Sequence, residues 1–532
     1  MRASHFDETA YTRNTGTLNQ NEWECCAVYY FVNEYILQKN SSVEHTAINR
    51  VKLFNHYKAP AKIVTKIYDR LLHRTIGDFG VTDDQVVNMF DYFQGVTEYT
   101  DVKVMTADSI HIPIEYEVTV GANFSGVADG DRLVGNVGFI PGTIGRVFYQ
   151  EFFDPQGNRI GTDLWDWRGF KSATQYFGQN GKLILQRYYT PAGQTVLEEY
   201  YAQDTEGKPL PSRMILKDYH GEGDRFFQNT DDLFSFFLNE LSNQDSETTT
   251  FIVDRPGTGV QPLLALNDAS RKYLYIPINH AVNPNDPVHA DLDGFLAPAF
   301  EHFGHFDGFI TATSQQAENL TTRFPKAHVF AMPAVTTLPL SKEGTEKVAP
   351  AQRIPHSLLY VGRIGQDKQI DQQLRMFALV KDRVPDATFT LFGYGDPQYV
   401  ADMKKLTDEL KLTGSVFFKD YVANLAEQYD HYQVLTNMSL ADGGPLAMME
   451  ALMHGIPAVS YKFNYGPAEL ITEGQDGYLI DPGQNLQMAE KIVGLFTDTA
   501  KLTAFSDAAY AKSHTQWTRR KVWNRWQKAL KA

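Results

Sequence analysis

The interruption between Thr97 and Tyr219 constrains this chain more than any other feature. Within it, helical periodicity is weak, and β-branched and aromatic residues alternate with polar ones. Four turn-like stretches recur, each closing on glycine: Asp154-Pro-Gln-Gly157, Gly178-Gln-Asn-Gly181, Thr190-Pro-Ala-Gly193 and Asp204-Thr-Glu-Gly207. Strand-like segments such as LILQRYY and VLEEYY flank them. Glycine-closed turns between alternating runs predict an antiparallel meander. Residues 97–219 therefore read as a β domain inserted into something else.

That something is α/β. Ala27 to Val32 reads as a buried strand, and polar residues around Asn40, Ser41 and Ser42 follow it. His45 to Tyr57 then places Ile48, Val51 and Phe54 at helical spacing, and Lys62 to Tyr68 reads as a second strand. After the meander, Asp231 and Asp232 suit a helix start, and Phe251–Asp254, Tyr273–Ile276 and Gly308–Thr311 read as short buried strands. A Thr/Pro/Lys/Glu-rich linker lies near Val335 to Pro350, and a second α/β unit opens with SLLYVGR. The expected division is a polar segment at 1–25, a first Rossmann-like domain at 26–96 and 220–340, the insertion at 97–219, a second Rossmann-like domain at 341–515 and a terminal helix at 516–532. The length of 532 residues suits two or three domains.

The bulk numbers exclude several classes. A net charge of −15 argues against general nucleic-acid binding. No stretch approaches the roughly 20 apolar residues that span a bilayer, and the N-terminal segment lacks the apolar core of a signal peptide. The expected compartment is the cytoplasm. The 2 cysteines, Cys25 and Cys26, are adjacent. They read as reduced core residues, since two thiols alone cannot build a zinc site, and no metal-ligand cluster is visible.

Two stretches carry the chemistry. In Leu358-Leu-Tyr-Val-Gly-Arg-Ile-Gly-Gln-Asp-Lys368, a buried strand ends at Gly362, where the backbone leaves room for a ligand. Arg363 and Lys368 project from the strand's carboxyl end and the following loop, the place where open α/β sheets bind ligands. A planar fork and a point charge suit a diphosphate, although a solvated basic loop has the same composition. In Ser439-Leu-Ala-Asp-Gly-Gly-Pro-Leu-Ala-Met-Met-Glu450, Gly443 and Gly444 precede a helix that starts near Pro445. Free amides at that start can receive phosphate. Asp442 stands before the helix and Glu450 within it, a spacing that allows one carboxylate at a sugar and another near a ribose. A buried helix with a capping Asp would look the same.

Together the two stretches resemble the donor-binding half of retaining GT-B glycosyltransferases, an α/β fold with two Rossmann-like domains facing a cleft. The resemblance implies that Arg363 and Lys368 hold the diphosphate of a UDP-sugar. It also implies that Glu450 binds the ribose, that amides around Leu446 and Ala447 touch the diphosphate, and that no metal or other cofactor is needed. Asp442 stands where the family usually has a Glu that contacts the donor sugar. Gly393, Tyr394 and Tyr421 fall at strand ends bordering the nucleotide base, or are plain turn residues. Asp254-Arg-Pro-Gly257, Ile278-Asn-His280 and Tyr461-Lys-Phe-Asn-Tyr-Gly-Pro467 look like segments of bacterial enzymes that glycosylate wall teichoic acid. In that comparison His280 matches an active-site histidine near the donor sugar. The insertion looks like a domain shared with glycosyltransferases of serine-rich adhesins, where it serves acceptor binding or self-association.

A second departure lies at Asn40-Ser-Ser-Val-Glu-His45, where relatives carry a glycine-rich turn and this chain has no glycine. Side chains of Ser41 and Ser42 would then enter the donor and acceptor cleft. The terminal helix, from Gln516, spaces Trp523, Trp526 and Leu530 on one face among basic residues. It reads as crossing back onto the first domain, with a peripheral seat on the inner membrane face as the other option.

The resulting expectation is transfer of glucose or N-acetylglucosamine from a UDP-sugar to a poly(glycerol phosphate) or poly(ribitol phosphate) teichoic acid. Two alternatives stand beside it: a protein O-glycosyltransferase of serine-rich adhesins, and a non-catalytic partner subunit of an active paralogue. Exposed meander edges invite pairing, so a homo-oligomer or a hetero-oligomer with such a paralogue is expected.

Overall fold

The computed structural model describes residues 27–244, 248–266, 269–334 and 347–531. The polar segment 1–25, both cysteines and the expected boundary at 340/341 lie outside these ranges.

The first domain is built on a parallel sheet. Its strands are β1 (Ala27–Asn33), β2 (Ala61–Thr65), β3 (Val86–Asn88), and then, beyond the insertion, β14 (Thr248–Val253), β15 (Arg271–Ile276), β16 (Gly308–Thr311) and β17 (Val329–Ala331). They lie in the order β17-β16-β15-β14-β1-β2-β3. All pair in parallel, as in doubly wound nucleotide-binding sheets. The strands are continuous apolar runs because both faces are covered; Phe31, Val32, Ile63, Val64, Phe251, Ile252 and Leu274 are all buried.

Ten antiparallel strands, from β4 (Glu117–Thr119) through β13 (Arg225–Phe227), form the insertion, each paired with its sequence neighbour. The meander thus runs past Tyr219 to Phe227. One of its faces joins the first domain's core: Tyr188, Leu197, Met214 and Leu216 pack with Phe234 and Phe237 of the helix Thr230–Gln244. The junction is also polar. The buried Arg168 guanidinium donates to Asp91 at 2.7 Å, and Gln94 Nε2 donates to the Tyr189 carbonyl at 2.7 Å.

The second domain carries β18 (Ser357–Val361), β19 (Thr388–Phe392), β20 (Val416–Lys419), β21 (Val434–Asn437), β22 (Ala458–Tyr461) and β23 (Gly477–Ile480), all parallel. Their order, β20-β19-β18-β21-β22-β23, repeats the winding of the first sheet. In each sheet the winding reverses between neighbouring strands, at β1/β14 and at β18/β21, and that reversal opens a crevice at the carboxyl ends.

The chain ends on the first domain. The helix Arg519–Lys531 lays Trp523 and Trp526 on the helix Ser42–His56. The Trp523 ring lies 5.1 Å from Phe54 and stacks on Tyr57 at 5.0 Å, and Trp526 lies 5.5 Å from Phe54. Trp523, Trp526 and Leu530 are buried in these contacts, so the face that would lie on a membrane is occupied by protein. No helix among the described residues is long and apolar enough to cross a bilayer.

Replacing Trp526, 1% exposed, with Ala should leave a cavity between the two helices. The expected loss is about 3–5 kcal/mol of stability, read as a lower midpoint in urea unfolding of the whole chain.

Candidate active site

The carboxyl ends of both sheets face one another across a cavity of about 1350 Å³. Ser41, Ser42, Arg363, Lys368, Gly393, Tyr394, Tyr421, Asp442, Gly443, Gly444, Leu446, Ala447 and Glu450 all line it. His280 does not.

The floor on the second-domain side needs glycine for space. A Cβ on Gly393, at the end of β19, would stand 1.9 Å from the Gly362 carbonyl oxygen at the end of β18. A Cβ on Gly443 would stand 2.3 Å from the backbone of Pro277, which follows β15 in the opposite domain. The first glycine lets two strand ends converge; the second lets the two halves touch.

Lys368 and Asp442 arrive from neighbouring strands, after β18 and β21 respectively. Lys368 Nζ lies 3.1 Å from Asp442 Oδ2, and the other Asp442 oxygen accepts from the amides of Gly443 at 2.8 Å and Gly444 at 3.2 Å. The carboxylate that is one methylene shorter than the family's Glu is therefore fully engaged, and it holds the lysine over the cavity. Arg363 pairs with Asp367 at 2.9 Å and is 53% exposed, so it can turn toward a ligand at little cost. Beside them the helix Leu446–Met453 begins. Its first amides lack intrahelical acceptors, and its positive end faces the same space.

Glu450 lies one turn into that helix. Its Oε2 accepts from the Tyr429 hydroxyl at 2.8 Å. Burial pushes its carboxyl up to about 7, against the opposing effect of the Tyr429 hydrogen bond. The group is thus poised between acid and carboxylate at neutral pH. Sequence reading missed Tyr429, which stands 21 residues upstream in an unremarkable helical turn.

On the first-domain side, the stretch without glycine forms the start of the helix Ser42–His56. Ser41 caps it, and Glu44 completes a capping box. That signature, Ser followed three residues later by Glu, was readable in the sequence. His45, on the same helix, meets Tyr421 across the cleft, Nε2 to hydroxyl oxygen, at 2.8 Å. Burial pushes the His45 pKa down to about 4, helped by the Lys52 charge, so the imidazole is neutral. Arg255, at the end of β14, also lines the cavity and was not singled out by its spacing.

His280 is fully buried. Its Nε2 faces the Pro287 carbonyl at 2.9 Å, and its ring stacks on Tyr465 at 5.8 Å. A carbonyl only accepts, so Nε2 carries the proton and Nδ1 presents a lone pair. Burial lowers its pKa, so the ring is neutral, and Nδ1 has no partner among the described residues. The ring is packed in the interior and does not line the cavity. No group of three or more His, Cys, Asp or Glu side chains able to hold a metal occurs among the described residues.

Residues 346–512 match the family described as glycosyl transferases group 1. Over 338 residues the chain is 24% identical to the poly(glycerol-phosphate) alpha-glucosyltransferase of Bacillus subtilis, covering 64% of this chain and 49% of that protein. The chain thus spans about half the length of that relative. It is 23% identical to the GtfA subunit of the UDP-N-acetylglucosamine–peptide N-acetylglucosaminyltransferase of Streptococcus gordonii, covering 88% of this chain and 92% of the relative. A crystal structure of a TarM mutant of S. aureus, in complex with fondaparinux, alpha-GlcNAc-glycerol and UDP, superposes with a TM-score of 0.77 at 18% identity. It covers 95% of this chain and 100% of that one. The chain accordingly carries a glycosyl transferases group 1 domain in its second half and has the GT-B fold, with an antiparallel meander inserted in its first domain.

Proposed function

We propose that the chain is a retaining hexosyltransferase that moves glucose or N-acetylglucosamine from a UDP-sugar to a polyol-phosphate chain of the teichoic-acid type. The observation that carries the reading is the convergence of Arg363, Lys368 and the start of the helix Leu446–Met453 on one cavity wall, with Glu450 one turn further in. Two cations and a helix's free amides suit a diphosphate, and the half-buried Glu450 carboxylate suits a ribose diol. The likeness to a poly(glycerol-phosphate) alpha-glucosyltransferase supports the acceptor class.

In this reading the diphosphate lies between Arg363 and Lys368 and the amides of Leu446 and Ala447. As the bond from the anomeric carbon to the diphosphate oxygen breaks, negative charge grows on the leaving UDP, and these groups stabilise it with no metal required. The acceptor hydroxyl attacks from the face that UDP leaves and passes its proton to the departing diphosphate oxygen as the new C–O bond forms, so the anomeric configuration is kept. Asp442 holds Lys368 in place and ties down the amides of Gly443 and Gly444, leaving those of Leu446 and Ala447 for the diphosphate. Gly393, Tyr394 and Tyr421 border the base, and Ser41 and Ser42 face the sugar and acceptor. The meander's edge strands β4 and β13, unpaired on their outer sides among the described residues, support assembly with a second copy or a paralogue.

A peptide acceptor is the second reading. It is favoured by the match to a peptide N-acetylglucosaminyltransferase subunit over most of both chains.

Two measurements test the donor site. Lys368→Ala should lower acceptor-dependent UDP release by at least about 100-fold; unaltered turnover would remove the assignment. Glu450 gives a pH signature. A carboxylate that accepts ribose hydroxyls binds better ionised than protonated, so UDP-glucose affinity should rise as pH climbs through about 7. The gain between pH 6 and pH 8 should be about tenfold. Glu450→Gln should bind more weakly at pH 8 and show a flat profile by calorimetry.

A further inference from the structure

The first helix of a doubly wound domain commonly offers its free amides to an anion. Here that end is closed from within. Ser41 Oγ accepts from the Val43 amide at 3.2 Å, while Glu44 Oε2 accepts from the Ser41 amide at 2.9 Å and from its hydroxyl at 2.7 Å. Glu44 is fully buried. Its other oxygen, Oε1, accepts from Arg255 Nε at 2.7 Å and Nη2 at 2.6 Å. The amides of Ser41 and Val43 are thus satisfied within the loop, and the Arg255 guanidinium stands beside it.

That guanidinium is fixed on three sides. Glu44 holds one edge, Ser41 Oγ lies 3.4 Å from Nη2, and the Tyr35 ring lies 4.8 Å beneath the plane. The remaining nitrogen, Nη1, has no partner among the described residues, and the side chain is 25% exposed, to the cavity it lines. An Arg already oriented by a buried carboxylate loses little freedom when it binds, and its open N–H groups match phosphate oxygens in direction and spacing.

The side of the cleft decides which phosphate. Every group assigned to the donor diphosphate comes from the second domain, from the ends of β18 and β21. Arg255 comes from the end of β14 and lines the same cavity from the first domain. We propose that Arg255 binds a phosphodiester of the acceptor, next to the hydroxyl that receives the sugar. This rests on the glycosyl-transfer reading and deepens it, committing the acceptor to a polyol-phosphate chain. A serine-rich peptide carries no phosphodiester, so Arg255 would add nothing of this kind to its binding.

The test is calorimetric titration of a glycerol-phosphate trimer into the full chain in the presence of UDP. Wild type should bind the trimer, with affinity falling as salt is added. Arg255→Gln should weaken the trimer by at least about tenfold while UDP affinity stays unchanged, which also certifies the fold. Arg255→Lys, which keeps the charge and loses the fork, should lie between. Three results would overturn the proposal: equal trimer affinity in wild type and Arg255→Gln, no trimer binding by wild type, or a parallel loss of UDP affinity, which would make Arg255 a donor clamp. Failure of the broader reading looks different. Trimer binding would survive and remain sensitive to Arg255→Gln, but no UDP would be released from UDP-glucose or UDP-N-acetylglucosamine.

Discussion

The buried pair of Arg50 and Asp254 is the contact on which the first domain turns. Asp254 follows β14 and accepts from Asn33 Nδ2, at the end of β1, at 2.9 Å, and it forms an ion pair with Arg50 of the helix Ser42–His56. The Arg50 guanidinium lies 4.4 Å from the Tyr275 ring of β15 and 5.7 Å from the Trp526 ring of the terminal helix. One ion pair thus fixes two strand ends, the first helix and the last helix at the sheet's switch point. Its net worth is small, because burial raises the Asp254 carboxyl to about 6 despite the nearby charge. Breaking it by removing one partner would be costly, about 3–5 kcal/mol, since an unpaired charge would be left inside. The pair's value lies in alignment: Arg255 is the next residue, and the cavity wall follows from where Asp254 is held.

The same logic recurs in the second domain with less burial. Lys368 and Asp442 come from neighbouring strands and meet at 3.1 Å, both partly open to the cavity. A pair in that setting is weak enough to be exchanged for a ligand. The two switch points therefore differ in kind. The first is locked by desolvated charge and supplies a fixed wall, while the second keeps its cation available.

Which parts were legible in the sequence follows from distance along the chain. The two motifs that line the cavity were readable because each is a strand end and the turn after it, with glycine and charged side chains within a dozen residues. The meander was readable from its glycine-closed turns, although its last strand, Arg225–Phe227, carries no such turn and was assigned to the next domain. The capping box at Ser41 and Glu44 was written in the local spacing, yet its meaning depends on Arg255, more than two hundred residues away. The Arg50–Asp254 pair, the Tyr429 contact to Glu450 and the burial of His280 were out of reach for the same reason. They depend on which elements become neighbours in space, and periodicity does not report that.

The terminal helix also settles how the two halves are tethered. The helix Thr499–Gln516 packs on the second domain, through Ser513 and Leu452 among others, and the next turn of chain delivers Trp523 and Trp526 to the first. The polypeptide therefore returns from the second half to the first at Trp517–Thr518. The halves also meet directly, where the amides of Ser314 and Gln315 donate to Glu469 at 2.9 and 2.7 Å and Asn464 Nδ2 donates to the Pro284 carbonyl at 2.9 Å. Chain continuity keeps such partners at high local concentration, so weak contacts between the halves re-form after each opening without needing to be individually strong.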